Sequence, residues 1–304
     1  MKRPDEKELR DYNVFYKPDT DFASHARLLQ SKWRVKQGLK MNDKPKSNYG
    51  NFVDTDIAKA EKVNFMTNNI KKLISEKILE IRSKRGLVGE PRIWNNLLSS
   101  QPLCFNLFGE LHYDLDLATK FFQKLFPNKV SLVTKVDFEF SSKRYNPDNS
   151  AFDVYVEYLH NDKKYFFGIE VKYQEDLLEE TKTKAAENFA KHKAEYVKLT
   201  DDSKFFKTNA IEKLQHAPIA QMWRDHLLSF NMTNENISGS FIFLYPFEND
   251  ECKKVVSVYQ TLLRSDNENE TKFFPRDLAN FIRTLNEINT TEWTQELVDR
   301  YLGK

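Results

Sequence analysis

Residues 150–173 read SAFDVYVEYLHNDKKYFFGIEVKY. Two alternating runs flank the polar segment His160-Asn161-Asp162-Lys163. A period of two, in runs rich in Val, Tyr, Phe and Ile, predicts two strands. Asn-Asp suits a two-residue hairpin turn. A tight turn there, or a slightly wider one of even length, pairs residues whose numbers sum to 323. Asp153 then lies across from Glu170, and Lys172 shares the face of Glu170. Phe152, Val154, Val156 and Tyr158 point the other way, beside Phe167, Ile169, Val171 and Tyr173. So consistent an apolar face specifies the register, which a turn of odd length would break.

Two carboxylates across from each other repel, and a cross-strand pair of like charge costs stability. Lys172 compensates in part. A divalent cation compensates further and keeps both acids ionised. Oxygen donors favour Mg2+, Mn2+ or Ca2+ over zinc. Such an ion activates water and polarises a phosphoryl oxygen. A lysine beside it orients the attacking water or helps to deprotonate it. The alternative is a sheet with one wet face, where Asp153, Glu157, Glu170 and Lys172 simply meet solvent. Glu-x-Lys is a short pattern and recurs at Glu180-Thr181-Lys182, Glu251-Cys252-Lys253 and Glu270-Thr271-Lys272. Only Glu170-Val171-Lys172 ends an apolar strand with an acid registered opposite.

Upstream, residues 1–58 are polar and irregular around a helix expected over His25–Lys40, and Pro45 and Gly50 mark a loop. A second helix is expected from about Ala58 to Arg85, ended by GLVGEP at Gly86–Pro91. In RIWNNLLSSQPLCFNLFGELHYDLDLATKFFQKLF, Leu111, Leu115, Ala118, Phe122 and Leu125 fall at helical spacing, with Pro127 and Asn128 as the stop. VSLVTKVDFEF (Val130–Phe140) alternates with Leu132, Thr134, Val136, Phe138 and Phe140 on one side, so it reads as a strand. SSKRYNPDNS (Ser141–Ser150) has the composition of a loop.

Downstream, Glu175–Leu199 reads as a long charged helix or helical pair. Thr208–Phe230 reads as another helix, bent near Pro218. ISGSFIFLYPF (Ile237–Phe247) is an almost continuous apolar run, as expected of a strand buried on both faces. Three amphipathic helical segments are expected from there to about Leu302. The order is helix, three strands, helices, strand, helices. That predicts an α/β core of at least four strands with helical additions at both ends.

Composition narrows the function classes. The chain has 304 residues, 40% hydrophobic and 30% charged, with 24 Phe to build a core. That is the range of an ordinary globular protein. Two cysteines, Cys104 and Cys252, make neither a disulfide framework nor a zinc ribbon. The opening MKRPDEKELR lacks the apolar core of a signal peptide. No run reaches the roughly 18 apolar residues of a membrane helix. A cytoplasmic location without membrane association is expected. Residues 1–85 hold 20 Lys and Arg against 12 Asp and Glu, and the remainder hold 27 against 33. That basic arm is either a nucleic-acid grip or the solvated face of a helical extension. There is no Gly-rich phosphate loop followed by Lys-Ser or Lys-Thr, no His-Glu-x-x-His and no Gly-x-Ser-x-Gly. Trp33, Trp94, Trp223 and Trp293 read as packing residues.

AFDVYVEY, a short turn and FFGIEVKY resemble the core of the PD-(D/E)XK nuclease superfamily. The element order is similar to that family's restriction-endonuclease-like αβββαβ core, with a mixed central sheet and added N- and C-terminal helices. The resemblance spans roughly Leu103–Phe247. LLSSQPLCFNLFGEL (Leu97–Leu111) further resembles a bacterial, mostly uncharacterised branch of these proteins. The resemblance implies domains at 1–90 (basic and helical), 91–250 (nuclease-like core) and 251–304 (helical, packed on the core).

It also implies roles residue by residue. Asp153 and Glu170 match the metal-ligand acids of the second and third core strands. The carbonyl of Val171 is a further ligand, and Lys172 matches the lysine of the nucleophilic water. Glu110 matches the acid of the first core helix, with Asp114 one turn on as the other candidate. Phe152 stands where many members carry proline. Gln221 and Arg224 match substrate-side positions of the later helix. Lys182, Lys184, Lys191 and Lys193 either line a nucleic-acid path or form a solvated helix face, and Glu157 is a peripheral ion-pair partner or solvated. The implied function is a Mg2+- or Mn2+-dependent endo- or exonuclease acting on DNA before RNA, with a homodimer compatible. The alternatives are a catalytically silent nucleic-acid or protein binding module, and a phosphoesterase acting on a small nucleotide.

Overall fold

The polar turn closes as a tight hairpin. In a computed structural model, which describes residues 1–83, 89–140, 150–174, 177, 182–234 and 236–303, Asn161 and Asp162 have φ of 48° and 60°. Two successive left-handed residues are the mark of a type I′ turn, whose twist matches the strands it joins. Pairing runs from His160↔Lys163 to Val154↔Ile169, with residue numbers summing to 323 throughout. The expected register holds.

In chain order the elements are α1 (Glu6–Asp11), α2 (Asp21–Lys36), α3 (Thr55–Glu61), α4 (Asn68–Ser83), α5 (Arg92–Asn95), α6 (Ser100–Tyr113), α7 (Leu115–Leu125), β1 (Leu132–Phe140), β2 (Phe152–His160), β3 (Lys163–Val171), α8 (Lys182–Ser203), α9 (Ile211–Leu214), α10 (Ala220–Asn231), β4 (Ile237–Tyr245), α11 (Asp250–Leu262), α12 (Glu268–Thr271), β5 (Phe273–Asp277), α13 (Leu278–Ile288) and α14 (Glu292–Leu302). They form two compact units. One contains Met1–Tyr113, Tyr173–Glu175 and Leu278–Lys304, and the other Asp114–Lys172 and Asp176–Asp277.

The second unit holds one mixed sheet in the order β1-β2-β3-β4-β5. The first three strands are antiparallel, and β4 and β5 join in parallel. Phe122, Phe126, Tyr158, Phe167 and Phe274 pack ring to ring on one face, with Phe126 and Phe167 4.7 Å apart. The other face buries Tyr155, Phe166, Phe241 and Phe243 against Met222, Trp223 and Leu227 of α10 and Val255 and Tyr259 of α11. Both faces are therefore dry, and the reading of a half-solvated sheet is wrong. Glu170 and Lys172 are only 4% and 9% exposed. β4 is buried from Gly239 to Tyr245, as its unbroken apolar run predicts.

Several local expectations are corrected. Phe152 does not join Val154 and Val156. It packs in the cluster of Tyr155 and Phe166, where Gly168 leaves room for its ring. A bulge between Val133 and Lys135 shifts the alternation of β1, so Val133 is buried and Leu132 exposed. A helix through Leu111–Leu125 does not exist as one piece. It breaks at Asp114, whose side chain caps α7 by accepting from Leu117 N–H at 2.8 Å. The helix expected over 58–85 is two, α3 and α4, with Lys62 left-handed at the end of α3.

The helix expected over Thr208–Phe230 is likewise two pieces, α9 and α10, on either side of Pro218. The C-terminal region contains a strand, β5, besides its helices, and Pro275 is tolerated because β5 is an edge. Tyr173 lies beyond β3 and is part of the first unit. The expected break at Gly86, the loop over 141–149 and the start of the charged helix over 175–181 fall largely outside the described residues, as do the side chains of Lys182 and Lys184.

The first unit closes on its own polar core. Arg300 is fully buried and donates to Gln30 Oε1 (3.1 Å) and to the Asn64 carbonyl (3.0 Å). Its guanidinium lies 4.1 Å from the Trp33 ring centroid. Trp293 Nε1 donates to the Asn106 carbonyl at 2.8 Å. Trp33, Trp94, Trp223 and Trp293 are all buried, and Cys104 and Cys252 are buried free thiols. Among the described residues, no helix is long and apolar enough to cross a membrane.

A Cβ added to Gly168 would stand 2.4 Å from the Phe152 ring. Gly168→Ala is expected to lower stability by about 1–3 kcal/mol, the usual cost of overpacking. Urea denaturation measures it as a lower midpoint with unchanged slope.

Candidate functional site

Asp153 and Glu170 stand one step past Val154↔Ile169, at the end of the hairpin away from the turn. Val171 N–H donates to Asp153 Oδ2 at 2.8 Å. This side-chain bond ties the end of β2 to β3. Lys172 N–H continues the parallel ladder by donating to the Leu244 carbonyl at 2.8 Å. The backbone just after Glu170 is thus held by its neighbours.

The side chains of Glu170, Lys172 and Gln221 close a ring of hydrogen bonds. Lys172 Nζ donates to Glu170 Oε1 at 2.6 Å and to Gln221 Oε1 at 3.1 Å. Gln221 Nε2 donates to the same Glu170 oxygen at 2.7 Å. α10 delivers Gln221 from its first turn, across the sheet face that β3 turns toward it. A buried ion pair survives desolvation only with good geometry and further hydrogen bonds. Gln221 supplies those bonds.

A third acid escapes the reading of the hairpin. Glu139 lies between Phe138 and Phe140, whose partners on β2 are Val154 and Phe152, so it stands across from Asp153. Glu139, Asp153 and Glu170 therefore form a row over three adjacent strands. The Asp153 carboxyl is pushed well above the usual carboxylate range. Its burial is the main cause, followed by the charges of Glu170 and Glu139, while Lys172 and the Val171 N–H pull the other way. A signal for Glu139 existed, since DFEF places it on the polar side of β1. Its neighbour across the sheet did not follow, because the separation of β1 from β2 by residues 141–149 sets no register.

The other predicted residues fall as follows. Arg224 is half-buried three residues beyond Gln221 on α10. Glu110 lies in the first unit, where its carboxylate accepts from Thr67 Oγ1 and from Asn69 Nδ2 at 3.0 Å. Asp114 is not on the helix of Glu110, and its carboxylate is occupied as the cap of α7. Glu157 pairs with Lys164 at 3.7 Å and accepts from Thr134. Lys191 and Lys193 are exposed on α8.

Among the described residues, no group of three or more His, Cys, Asp or Glu side chains is placed to hold a metal ion. The donors that are present suit a hard cation needing few protein ligands. Asp153 Oδ1 and Glu170 Oε2 accept no hydrogen bond among the described residues. Mg2+ is commonly held by one or two carboxylates and keeps several waters, so Asp153 and Glu170 fit it.

A family model described as the PD-(D/E)XK nuclease superfamily matches residues 17–303, well beyond the span of the sequence resemblance. Comparison with curated proteins and with solved structures gave no match.

The raised Asp153 carboxyl has a sign. The folded state holds that proton more tightly than the unfolded chain, so this group weakens the fold as pH climbs from the ordinary carboxylate range through the raised folded value. Asp153→Asn keeps an acceptor for Val171 N–H and removes the charge. Without metal, this variant should melt above the wild type at about pH 7, by about 2–4 °C per kcal/mol of relieved repulsion. The difference should shrink below the carboxylate range. Added Mg2+ should raise the melting temperature of the wild type and not that of the variant. Asp114→Ala should cost about 1 kcal/mol for the lost cap, as read by thermal melting.

Proposed function

Because the chain belongs to the PD-(D/E)XK nuclease superfamily, we propose that it hydrolyses phosphodiester bonds in nucleic acid, DNA before RNA, with Mg2+ or Mn2+. The observation that carries this reading is the bonding of Lys172 to Glu170 and Gln221 beside Asp153, with one oxygen of each acid unengaged among the described residues. Asp153, Glu170 and the carbonyl of Val171 would hold the cation. Bound there, it would neutralise charge on the phosphate and acidify a water.

The remaining work belongs to side chains. Lys172 has three N–H donors. Glu170 and Gln221 each receive one of them, and the ammonium they hold in place would orient the attacking water or meet a phosphoryl oxygen. Gln221 fixes the direction of the ammonium and keeps Glu170 from rotating. The dry surroundings strengthen each of these interactions relative to water. Arg224 is assigned to the substrate side of α10.

Cleavage of single- and double-stranded DNA in Mg2+ or Mn2+ tests the reading. The wild type should give product that EDTA abolishes. Asp153→Ala and Lys172→Ala should each lose at least about 100-fold in rate. Lys172→Ala strands a buried carboxylate, at about 3–5 kcal/mol, so its folding is checked by circular dichroism alongside Lys172→Gln, which keeps a donor for Glu170. Undiminished cutting by Lys172→Ala and Lys172→Gln would sink the mechanism. Salt-dependent binding without product on any substrate would instead favour the binding module.

A further inference from the structure

The end of β1 departs from regular strand geometry beside the carboxylate row. Up to Phe138, β1 alternates in step with β2, with Asp137 paired to Tyr155 and Phe138 to Val154. Glu139 then takes φ 48°, a left-handed conformation that is uncommon for a residue other than glycine. Regular alternation would put Phe140 on the face of Phe138. Instead, its ring stacks on Tyr155, with centroids 4.2 Å apart and planes at 20°. Its partner Phe152 lies on that face as well, in the cluster of Tyr155 and Phe166. The left-handed turn at Glu139 thus moves an aromatic ring onto the face of Glu170 and Lys172.

The ring is only partly buried. Lys135 Nζ lies 5.1 Å from its centroid and 5.9 Å from that of Tyr155. The Lys135 side chain is 46% exposed and also pairs with Asp137 at 2.9 Å. The assembly is a flat ring backed by a second ring, with an ammonium beside the pair that reaches solvent. A nucleobase presents a π-face to such a ring, and the ammonium beside the pair can then meet the backbone phosphate. Bases inside a duplex already have neighbours on both faces, so an aromatic platform selects an unpaired base. Residue 139, next to the platform, stands across from Asp153.

We propose that Phe140, backed by Tyr155, stacks an unpaired nucleobase beside Glu139 and Asp153, and that the substrate is single-stranded or locally unpaired nucleic acid. The proposal rests on the nuclease reading and narrows its substrate class.

Fluorescence anisotropy in EDTA, with the full chain, a labelled single strand and the matching blunt duplex, tests it. Phe140→Leu keeps the apolar bulk and loses the π-face. It should bind the single strand about tenfold more weakly, as expected for one lost base–aromatic stack, with duplex binding unchanged. Phe140→Tyr should bind as the wild type does. No loss with Phe140→Leu, or equal loss on both substrates, overturns the proposal and leaves the nuclease reading standing. Absence of binding and cleavage by the wild type on every nucleic acid overturns both. If Phe140→Leu does not fold, wild-type protein and strands carrying single 2-aminopurines decide. Quenching at one position supports stacking, and quenching at none overturns it.

Discussion

Three carboxylates share one row of this sheet, and the bonds from Lys172, Gln221 and Val171 limit the cost of placing them together. Neighbouring strands lie about 4.8 Å apart. Unit charges at that separation repel by on the order of 3 kcal/mol at an effective dielectric of about 20. Lys172 offsets the charge of Glu170, with Gln221 completing the geometry. Asp153 receives one backbone N–H and is left between two acids. A protein selected for stability alone would replace such a row with apolar residues. Its presence, with one oxygen each of Asp153 and Glu170 unbonded among the described residues, fits a place for a cation and a phosphate.

Irregular features lie beside the row. Glu139 adopts a left-handed backbone within a strand, a conformation that costs about 1–3 kcal/mol. The same shift turns Phe140 onto Tyr155, and Phe152 fills the space over Gly168. Charge, backbone strain and aromatic packing meet beside Asp153.

The buried polar groups of the first unit behave differently. Arg300 has Gln30 and Asn64 as acceptors and Trp33 as a stacking surface. Asn106 receives the Trp293 donor on its carbonyl and gives its own amide to Asn64 and Tyr301. Satisfied networks of this kind rigidify a core and specify its packing. A cation held by two acceptors in one unit, and a buried Asp153 set between Glu139 and Glu170 in the other, separate a structural cluster from a chemical one.

The hairpin was readable from residues 150–173 because everything that decides it is local. Alternation has a period of two, Asn161-Asp162 accepts two left-handed residues, and a two-residue turn leaves one register. Asp153, Glu170 and Lys172 followed from that register. The Asp114 break was also written locally, as a cap three residues before Leu117, but helical spacing on either side masked it. Glu139 depends on how β1 aligns with β2 across residues 141–149, and no turn rule spans that distance. The dry second face depends on α10 and α11, and the ring over Gly168 depends on space that only packing defines. Sequence determined the hairpin and the acids and lysine it carries, because short-range periodicity and turn geometry suffice. Tertiary structure alone decided the third carboxylate, the bond from Gln221 and the position of Phe140, because each depends on contacts between segments distant in the chain.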